Sequence, residues 1–412
     1  MKLFLFSILL KLTLELSFCL FVIPNYSIFE PRFNTTIYIL GWIFYIILLK
    51  VLPQNSNQIG SLLFLFLFYL FILPSFIFVA YCDDSTSFLL LTIASFLISY
   101  FISKNKKLKN ISVKNFLDSR RLIFLLAFFL SIQTLWIFVS GGYKYISFDF
   151  YKIYEYRYEV SNLLNKSFFS YYSGFVYNVA GTLCFALLLY KKHFTKSLLC
   201  FLLFVFWFGV TGHKQILFNC FLILGLFVIL ASKKHQSYRL PLGLILAICC
   251  SLINFMGTKN LFLADMIIRR IFFDPVQVAY TYYHFFRQNE LTWWSENLIF
   301  NKFLTYPYDE PSTRIISKLV GYPDGNANAS YLATGFMHAG FIGVLIYASI
   351  LGFIVRFLNY HQNTSIPLFL SMSCIVCPFL ALFTSADLTT SMLTHSLAFS
   401  LVIYLAVQKL KV

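Results

Sequence analysis

Residues 61–81 read SLLFLFLFYLFILPSFIFVAY, a run of 21 residues that contains no charged side chain. A helix rises about 1.5 Å per residue, so a run of this length matches the hydrocarbon thickness of a lipid bilayer. The rest of the chain continues the pattern, because 59% of its 412 residues are hydrophobic and only 12% are charged. A soluble domain is about 25% charged. The sequence therefore predicts an all-α polytopic membrane protein.

Apolar runs of this kind recur along the whole chain. With about 20 residues for each crossing, we predict about 12 transmembrane helices. Their approximate ranges are 3–23, 37–52, 61–81, 88–103, 121–140, 169–190, 197–211, 215–231, 240–256, 332–355, 366–384 and 391–408. The seventh and eighth are short, and only Thr211-Gly212-His213-Lys214 separates them. They form either two short helices or one re-entrant pair.

Lysine and arginine are divided unevenly among the breaks between these runs. If the N-terminus lies inside, the inner breaks and the termini carry 18 Lys and Arg, whereas the short outer breaks carry only Arg32 and Lys214. Cytoplasmic connections hold an excess of positive charge, so both termini are predicted to be cytoplasmic. The net charge of +16 is then explained by the orientation of the chain in the membrane, and no nucleic acid is expected as a partner.

The breaks divide the chain into five consecutive segments. The first five spans occupy residues 1–140, a first outer loop 141–168, the next four spans 169–256, a large outer loop 257–331, and the last three spans 332–412. A loop longer than about 15 residues is usually functional or disordered. Disordered segments have few aromatic residues, whereas the large loop contains Trp293, Trp294 and a cluster of tyrosines. We predict that this loop is folded and carries the chemistry.

Basic residues on the outer side suggest an anionic ligand, because guanidinium groups bind phosphate bidentately. Arg157 is flanked by acids and tyrosines, so a structural ion pair explains it as well as substrate binding does. Lys214 lies at the outer end of two short spans. It either binds an anionic ligand or extends its ammonium group to the membrane surface. Arg269 and Arg270 follow an apolar segment. Since adjacent residues point to different faces of a helix, only one is expected to face a site.

Aromatic side chains in the large loop suit sugars, whose C–H faces stack on aromatic rings. For Trp293 and Trp294 a place in the aromatic belt of the membrane is an equally good interpretation. The sequence contains no G-x-x-x-x-G-K-[ST], no H-E-x-x-H and no Asp-rich metal motif. We therefore favour a metal-free and cofactor-free mechanism, in which arginines stabilise a diphosphate leaving group by fixed positive charge.

With these features the chain resembles the O-antigen polymerase (Wzy-type) family of oligosaccharide repeat-unit polymerases. The resemblance covers nearly the whole length through topology, and locally it rests on Ile268-Arg269-Arg270-Ile271-Phe272-Phe273-Asp274-Pro275, on Tyr280–Phe286, and on Asn326-Ala327-Asn328-Ala329-Ser330-Tyr331 before a glycine-patterned helix. Some members place a glycine after an arginine and ten intervening residues in each outer loop. Arg314 and Gly325 have this spacing, but Arg157 has no such glycine.

The resemblance implies a glycosyltransferase with a multi-helix membrane fold of the GT-C type. It would transfer a growing glycan from undecaprenyl diphosphate to a new lipid-linked repeat unit. The product would be O-antigen of lipopolysaccharide or capsular polysaccharide, made at the periplasmic face of the bacterial inner membrane. The expected partners are the undecaprenyl-diphosphate-linked oligosaccharide, membrane lipids, a chain-length regulator and a flippase.

For this reaction we predict a set of substrate-binding residues on the outer side. They are Arg157, Lys214, Arg269, Arg270, Arg287, Arg314, Asn326 and Asn328. The acceptor hydroxyl needs a carboxylate or a histidine as general base, and the candidates are His338, Asp274 and Asp324, with His284 as a further choice. We prefer His338, which is expected to begin a helix, and we expect Arg270→Ala to abolish polymer formation.

Two other functions fit the same sequence. An O-antigen ligase would share the fold, the donor and the outer arginines but would use a lipid A core acceptor. A lipid-linked oligosaccharide flippase or another transporter also has about 12 spans, but inverted repeats and broken helices mark that class. The sequence shows neither clearly.

Overall fold

The computed structural model describes residues 2–53, 57–82, 84–104, 117–149, 153–164, 168–230, 237–297, 300–323 and 325–411. Helices make up nearly all of the regular structure in these ranges. One two-residue strand, β1 (Leu117–Asp118), pairs in parallel with β2 (Leu410–Lys411). The protein is therefore all-α, as predicted.

The helices are numbered α1 to α17 along the chain. They are α1 (Lys2–Asn25), α2 (Thr35–Val51), α3 (Ile59–Cys82), α4 (Thr86–Ser103), α5 (Ser119–Val139), α6 (Ile153–Leu164), α7 (Phe168–Tyr190), α8 (Phe194–Thr211), α9 (Lys214–Leu230), α10 (Arg239–Thr258), α11 (262–288), α12 (Ser312–Leu319), α13 (Tyr331–His361), α14 (Leu368–Ser373), α15 (Val376–Thr384), α16 (Leu388–Leu393) and α17 (Leu397–Val407). Short 3₁₀ turns lie at Gly142–Tyr145 and Phe300–Lys302.

Eight helices in the described ranges are long and apolar enough to cross a membrane, namely α1, α3, α4, α5, α7, α8, α10 and α13. Three shorter apolar helices, α2, α9 and α17, fall on further predicted spans. The last two predicted spans are each broken into two short helices, α14 with α15 and α16 with α17. The chain is thus an all-α membrane protein, while a count of about 12 crossings and the GT-C architecture remain predictions.

The chain forms two compact units, each assembled from distant stretches of sequence. The first comprises residues 1–108, 236–359 and 380–389, and the second comprises 109–235, 360–379 and 390–412. The five consecutive segments predicted above describe the order along the chain, whereas the units describe which stretches pack together in space.

One helix forms the centre of each unit. The apolar window of α3 is 100% buried, and α3 packs against α1, α2, α4 and α11 in the first unit. In the second unit α7 is 89% buried and packs against α5, α8, α9 and α14. A helix that is apolar on all sides is stable only where neighbours cover it or where lipid does. By contrast α5 is only 28% buried, so most of its apolar surface faces outward.

The helix α13 is not one straight rod, in contrast to the single span predicted over 332–355. Ala339 (φ −146°, ψ 31°) and Gly340 (φ 59°, ψ −141°) leave helical geometry. A Cβ atom on Gly343 would lie 2.0 Å from the carbonyl oxygen of Gly335. Residues eight apart on a straight helix are separated by about 12 Å, so the chain folds back at Ala339-Gly340 and the two arms touch backbone to backbone.

The described part of the large loop is folded, as predicted. Its longest helix, α11, packs against α3. The backbone N–H and the hydroxyl of Ser312, at the start of α12, donate to the Glu296 carboxylate at 2.7 and 2.8 Å. The Tyr282 hydroxyl donates to the carbonyl of Ala327 at 3.0 Å. These bonds fix α11 and α12 relative to the segment that leads into α13.

Candidate functional site

Two of the predicted arginines lie in a π-helical stretch of α11, Asp265–Phe273. A π-helix joins residue i to residue i+5, which brings side chains four and five positions apart to one face. Arg269 Nε and Arg270 Nε donate to the two oxygens of Asp265 at 2.5 and 2.8 Å. The Arg269 guanidinium also donates to Asp274 at 2.9 Å. The structure therefore brings Arg269, Arg270 and Asp274 together around Asp265.

The two adjacent arginines differ in exposure, as their adjacency predicts. Arg269 is 5% exposed and lies over the ring of Tyr26 at 4.4 Å, whereas Arg270 is exposed. Burial alone raises the pKa of Asp265, but the hydrogen bonds and charges of the arginines outweigh it and lower this pKa. Asp265 thus stays ionised. The cluster balances two guanidinium groups against two carboxyl groups, which is typical of a structural ion network.

Asp274, one of the predicted general bases, is engaged by the Arg269 guanidinium. Burial raises its pKa more than the charges of Arg269 and Arg270 lower it. One of its oxygens already accepts a hydrogen bond from Arg269. Its geometry supports a role in holding Arg269.

The remaining predicted residues of the large loop are spread over its surface. They are Arg287 at the end of α11, Arg314 in α12, and Asn326 and Asn328 before α13, all of them exposed. The Arg287 guanidinium lies 5.9 Å from the ring centre of Tyr283. The Thr313 hydroxyl donates to the side-chain oxygen of Asn326 at 3.3 Å. The predicted base Asp324 lies outside the described residues.

His338 does not begin a helix, in contrast to the prediction from sequence, because α13 starts seven residues earlier and His338 ends its first arm. It is buried, and its ring stacks on Trp294 with 5.1 Å between centroids. Both ring nitrogens have neighbours: the Thr292 hydroxyl lies 2.9 Å from Nδ1, and Asp387 Oδ1 lies 3.4 Å from Nε2. A base needs a nitrogen open to the acceptor, so this geometry favours a structural role.

Asp387 is the centre of a polar cluster that the sequence did not reveal. Besides His338, it accepts hydrogen bonds from the Tyr347 hydroxyl at 2.9 Å and from the Thr389 backbone N–H at 2.8 Å. Trp294 Nε1 in turn donates to the Tyr347 hydroxyl at 2.7 Å. Burial raises the pKa of Asp387, but hydrogen bonds and the charge of His338 lower it well below its ordinary range. An acid between two apolar runs is a signal that could have singled it out.

His284, the further choice of base, is better placed for proton transfer than the buried His338. Its Nε2 lies 2.5 Å from Oδ1 of Asp84, which follows α3, and its side chain is 48% exposed. A carboxylate on one imidazole nitrogen orients the ring and leaves the other nitrogen for a substrate. Near Asp84, the buried Tyr280 hydroxyl has no hydrogen-bond partner among the described residues. Asp84 was not among the predicted site residues.

The second unit contains a polar cavity of about 210 Å³. Its polar lining consists of Arg157, Ser161, Ser170, Ser173, Tyr177, Asn178, Thr211, His213, Gln215, Thr394 and His395. None of the described residues that line it is a carboxylate. Sites for drug-sized ligands occupy about 300–1,000 Å³, so this cavity suits a polar part of a larger ligand, such as its phosphate groups together with the adjoining atoms of one sugar ring.

Arg157 supplies positive charge to this cavity and lies beside His213. Arg157 Nη2 lies 3.0 Å from His213 Nδ1. Burial and the positive charge of Arg157 lower the pKa of His213 to about 4. His213 is therefore neutral near pH 7, and because a guanidinium has only donors, Nδ1 must be the acceptor. The ring proton then lies on Nε2, which remains a donor. Lys214, also predicted, is the next residue and opens α9.

A π-helical stretch of α7, Val176–Ala180, contributes Tyr177 and Asn178 to the lining of this cavity. Asn219 donates to the side-chain oxygen of Asn178 and to the backbone carbonyl of Tyr177, both at 3.1 Å. Gln133 donates to the Tyr177 hydroxyl at 2.8 Å. These bonds satisfy the polar groups of a buried helix and fix the Asn178 amide at the cavity.

A break between α16 and α17 brings His395 to the same cavity. Ser396 has a positive φ of 64° and ends the break. A Cβ atom on Gly174 would lie 2.3 Å from the carbonyl oxygen of Thr394, so glycine is required for this close approach. His213, Asn178 and His395 were not among the predicted site residues. Their signal was weak, since each is a single polar residue within or beside an apolar run.

The low pKa of His213 predicts a pH dependence of stability. Histidine titrates near pH 6.5 when unfolded, so between that value and about 4 the unfolded state binds more protons, and stability falls as the pH falls. From about pH 7 to pH 5 we expect a loss of about 2 kcal/mol from this group. The thermal unfolding midpoint in detergent measures it.

The variant His213→Gln should lack this component, because the glutamine oxygen still accepts from Arg157 without titrating. His193→Gln, an exposed histidine in the same unit, is the matched control and should keep the wild-type dependence. An identical pH dependence in wild type and His213→Gln would show that His213 is not held neutral.

No protein-family model, curated protein or solved structure matches the chain.

Proposed function

We propose that the protein is a metal-free glycosyltransferase that polymerises undecaprenyl-diphosphate-linked oligosaccharide repeat units into O-antigen or capsular polysaccharide. The observation that supports this proposal most is the cavity of the second unit. It combines the Arg157 guanidinium, the Nε2–H donor of His213, side-chain amides and several hydroxyls, without a carboxylate among its described lining residues. Such a lining favours an anionic, hydroxyl-rich ligand.

The reaction breaks the bond between the anomeric carbon of the donor glycan and an oxygen of its diphosphate. The acceptor hydroxyl forms the new glycosidic bond and loses its proton, and undecaprenyl diphosphate leaves with the bonding electron pair. Arg157 and His213 would hold the developing negative charge, which is where fixed donors lower the barrier most. His395, which lines the same cavity, would accept the hydroxyl proton, since histidine is the commonest general base.

In this proposal the diphosphate binds in the cavity and not at the Arg269 cluster. In that cluster two carboxyl groups already accept the hydrogen bonds of Arg269 and Arg270. A diphosphate would have to displace those carboxylates and leave them buried, which is costly. Arg287, Arg314, Asn326 and Asn328 are exposed and remain candidates for contacts with the longer glycan. Lys214 remains a candidate beside the cavity.

A transporter of lipid-linked oligosaccharides is the second candidate, because the structure contains broken helices. The breaks at Ala339-Gly340 in α13, between α14 and α15, and between α16 and α17 are of the kind that forms binding sites in transporters.

The proposal of a polymerase also includes the bacterial inner membrane as the location, cytoplasmic termini, a periplasmic reaction, and a chain-length regulator and a flippase as partners.

A clean deletion of the gene, followed by gel analysis of surface glycan, tests the proposal. Lipid A core that carries a single repeat unit, with the ladder lost, is the expected result for a polymerase. Free lipid-linked polymer together with bare core would instead indicate a ligase. Repeat units retained on the cytoplasmic leaflet would indicate the transporter, and the assignment of Arg157 and His395 to bond formation would fall.

A further inference from the structure

Trp293 and Trp294 are adjacent but face different surroundings. Both have positive φ values, 48° and 62°, a left-handed conformation that costs an ordinary residue about 1 kcal/mol or more. Trp294 points inward, where it donates to Tyr347 and stacks on His338. Trp293 is 54% exposed. The strained pair therefore directs one indole into the polar cluster around Asp387 and the other to the surface.

The backbone of this pair lies against the fold-back of α13. Thr292 N–H donates to the Met337 carbonyl and Trp293 N–H to the His338 carbonyl, both at 3.0 Å. Directly after the fold-back, α13 exposes one continuous apolar face. It consists of Phe341, Ile342, Leu345, Ile346 and Phe353. In an all-α membrane protein an exposed apolar helix face of this kind is where lipid contacts are expected, and we call it the lipid-facing surface of α13.

A neighbouring turn lies beside Trp293. Trp293 and Leu304 line a common cavity of about 280 Å³, together with Leu291 and Pro307 and with the polar residues Glu290, Thr292 and Thr305. Phe300 and Lys302 belong to one 3₁₀ turn, and the N–H of the next residue, Phe303, donates to the Phe300 carbonyl at 2.9 Å. Both phenylalanines are exposed, Phe303 by 80%. An apolar patch of this kind on a folded surface marks an interaction site. Aromatic residues with a lysine beside them are typical of the boundary between lipid headgroups and acyl chains.

We propose that Trp293 and the turn Phe300–Leu304 insert into the bilayer at the headgroup–acyl boundary, as an extension of the lipid-facing surface of α13. The occupant of this patch is lipid, because the Thr292 and Trp293 backbone is hydrogen-bonded to the end of the first arm of α13, next to the start of that surface, and because aromatic residues beside a lysine are typical of this boundary. This inference does not depend on the proposed function.

Tryptophan fluorescence of the full-length protein in phosphatidylcholine nanodiscs tests this proposal. The chain contains 5 tryptophans, so the signal of Trp293 is the difference between the wild type and Trp293→Phe. Phosphatidylcholine brominated near the headgroup end of its acyl chains should reduce this difference signal by about half, as expected for a residue at the boundary. Bromine near the chain ends should quench it less, and aqueous iodide should have little effect.

A second variant keeps the test independent of position 293. Phe303→Trp in the Trp293→Phe background moves the indole to the turn and should show the same quenching pattern. Ile342→Trp in that background is the matched control, since it lies on the lipid-facing surface and should be quenched by brominated lipid. Difference signals from positions 293 and 303 that respond to iodide but not to brominated lipid would overturn the proposal and would leave the patch as a site for a protein partner.

Discussion

Gly343→Ala is expected to reduce the yield of folded protein strongly, because the added methyl group has no room. The new Cβ would lie 2.0 Å from the Gly335 carbonyl oxygen and 2.9 Å from its carbon. Both are backbone atoms of the facing arm of α13, so no side-chain rotation relieves the contact and the two arms must separate. Overpacking of this kind costs about 3 kcal/mol or more, which corresponds to a loss of at least about a hundredfold in the folding equilibrium.

The measurement is the thermal unfolding midpoint of the detergent-solubilised protein, together with its monodispersity in size-exclusion chromatography. Gly225→Ala is the matched control, because Gly225 lies within α9 and its Cβ would meet nothing within 4 Å. Alanine is favoured over glycine inside a helix by about 1 kcal/mol, so this control should be as stable as the wild type or more so. Gly335→Ala, whose nearest contacts lie at 3.2 Å, should fall between the two.

This series tests the fold-back of α13 itself. If Gly343→Ala unfolded at the same temperature as Gly225→Ala, the two arms would not touch. The turn at Ala339-Gly340 would then have to be abandoned. The contacts that place His338 beside Asp387 would then also be wrong.

Arg157→Ala is expected to abolish the polysaccharide ladder while the protein remains in the membrane at its normal level. The side chain supplies the guanidinium of the cavity and the donor to His213. Loss of one donor that stabilises a developing negative charge reduces turnover by about a hundred- to a thousandfold. Arg157→Lys retains the charge but not the planar fork, so we expect partial recovery. Gel analysis of surface glycan and membrane immunoblots measure both quantities.

Two further variants make this experiment specific. Arg32→Ala is the control, because Arg32 is exposed and paired with Glu30 in the first unit, and it should give a normal ladder. Arg270→Ala, which the sequence alone predicts to abolish the polymer, should have a smaller effect than Arg157→Ala, because Arg270 already binds Asp265. A normal ladder in Arg157→Ala would show that the cavity takes no part in the reaction. Loss of the ladder only in Arg270→Ala would indicate that the site lies at α11.

The composition and the spacing of apolar runs are sufficient to predict the class of the protein and the positions of its helices. Every predicted span falls on a helix or on a pair of short helices, because apolar runs such as 61–81 fix both backbone hydrogen bonding and burial locally. The sequence also predicted the different exposures of Arg269 and Arg270, since neighbours on one helix point to different faces. The distribution of basic residues predicts an orientation in the membrane, which stays a prediction.

Which polar residues contact each other depends on the packing of helices that are distant in the sequence. Arg157 lies 56 positions from His213, and His284 lies 200 positions from Asp84. Such pairs depend on how distant helices pack, and single polar residues in apolar runs carry no local pattern that names a partner. The break in α13 and the π-helical turns of α7 and α11 likewise depend on tertiary contacts. Burial of apolar surface stabilises the folded state almost anywhere in the core, whereas burial of a polar group is tolerated only where a hydrogen-bonding partner is present.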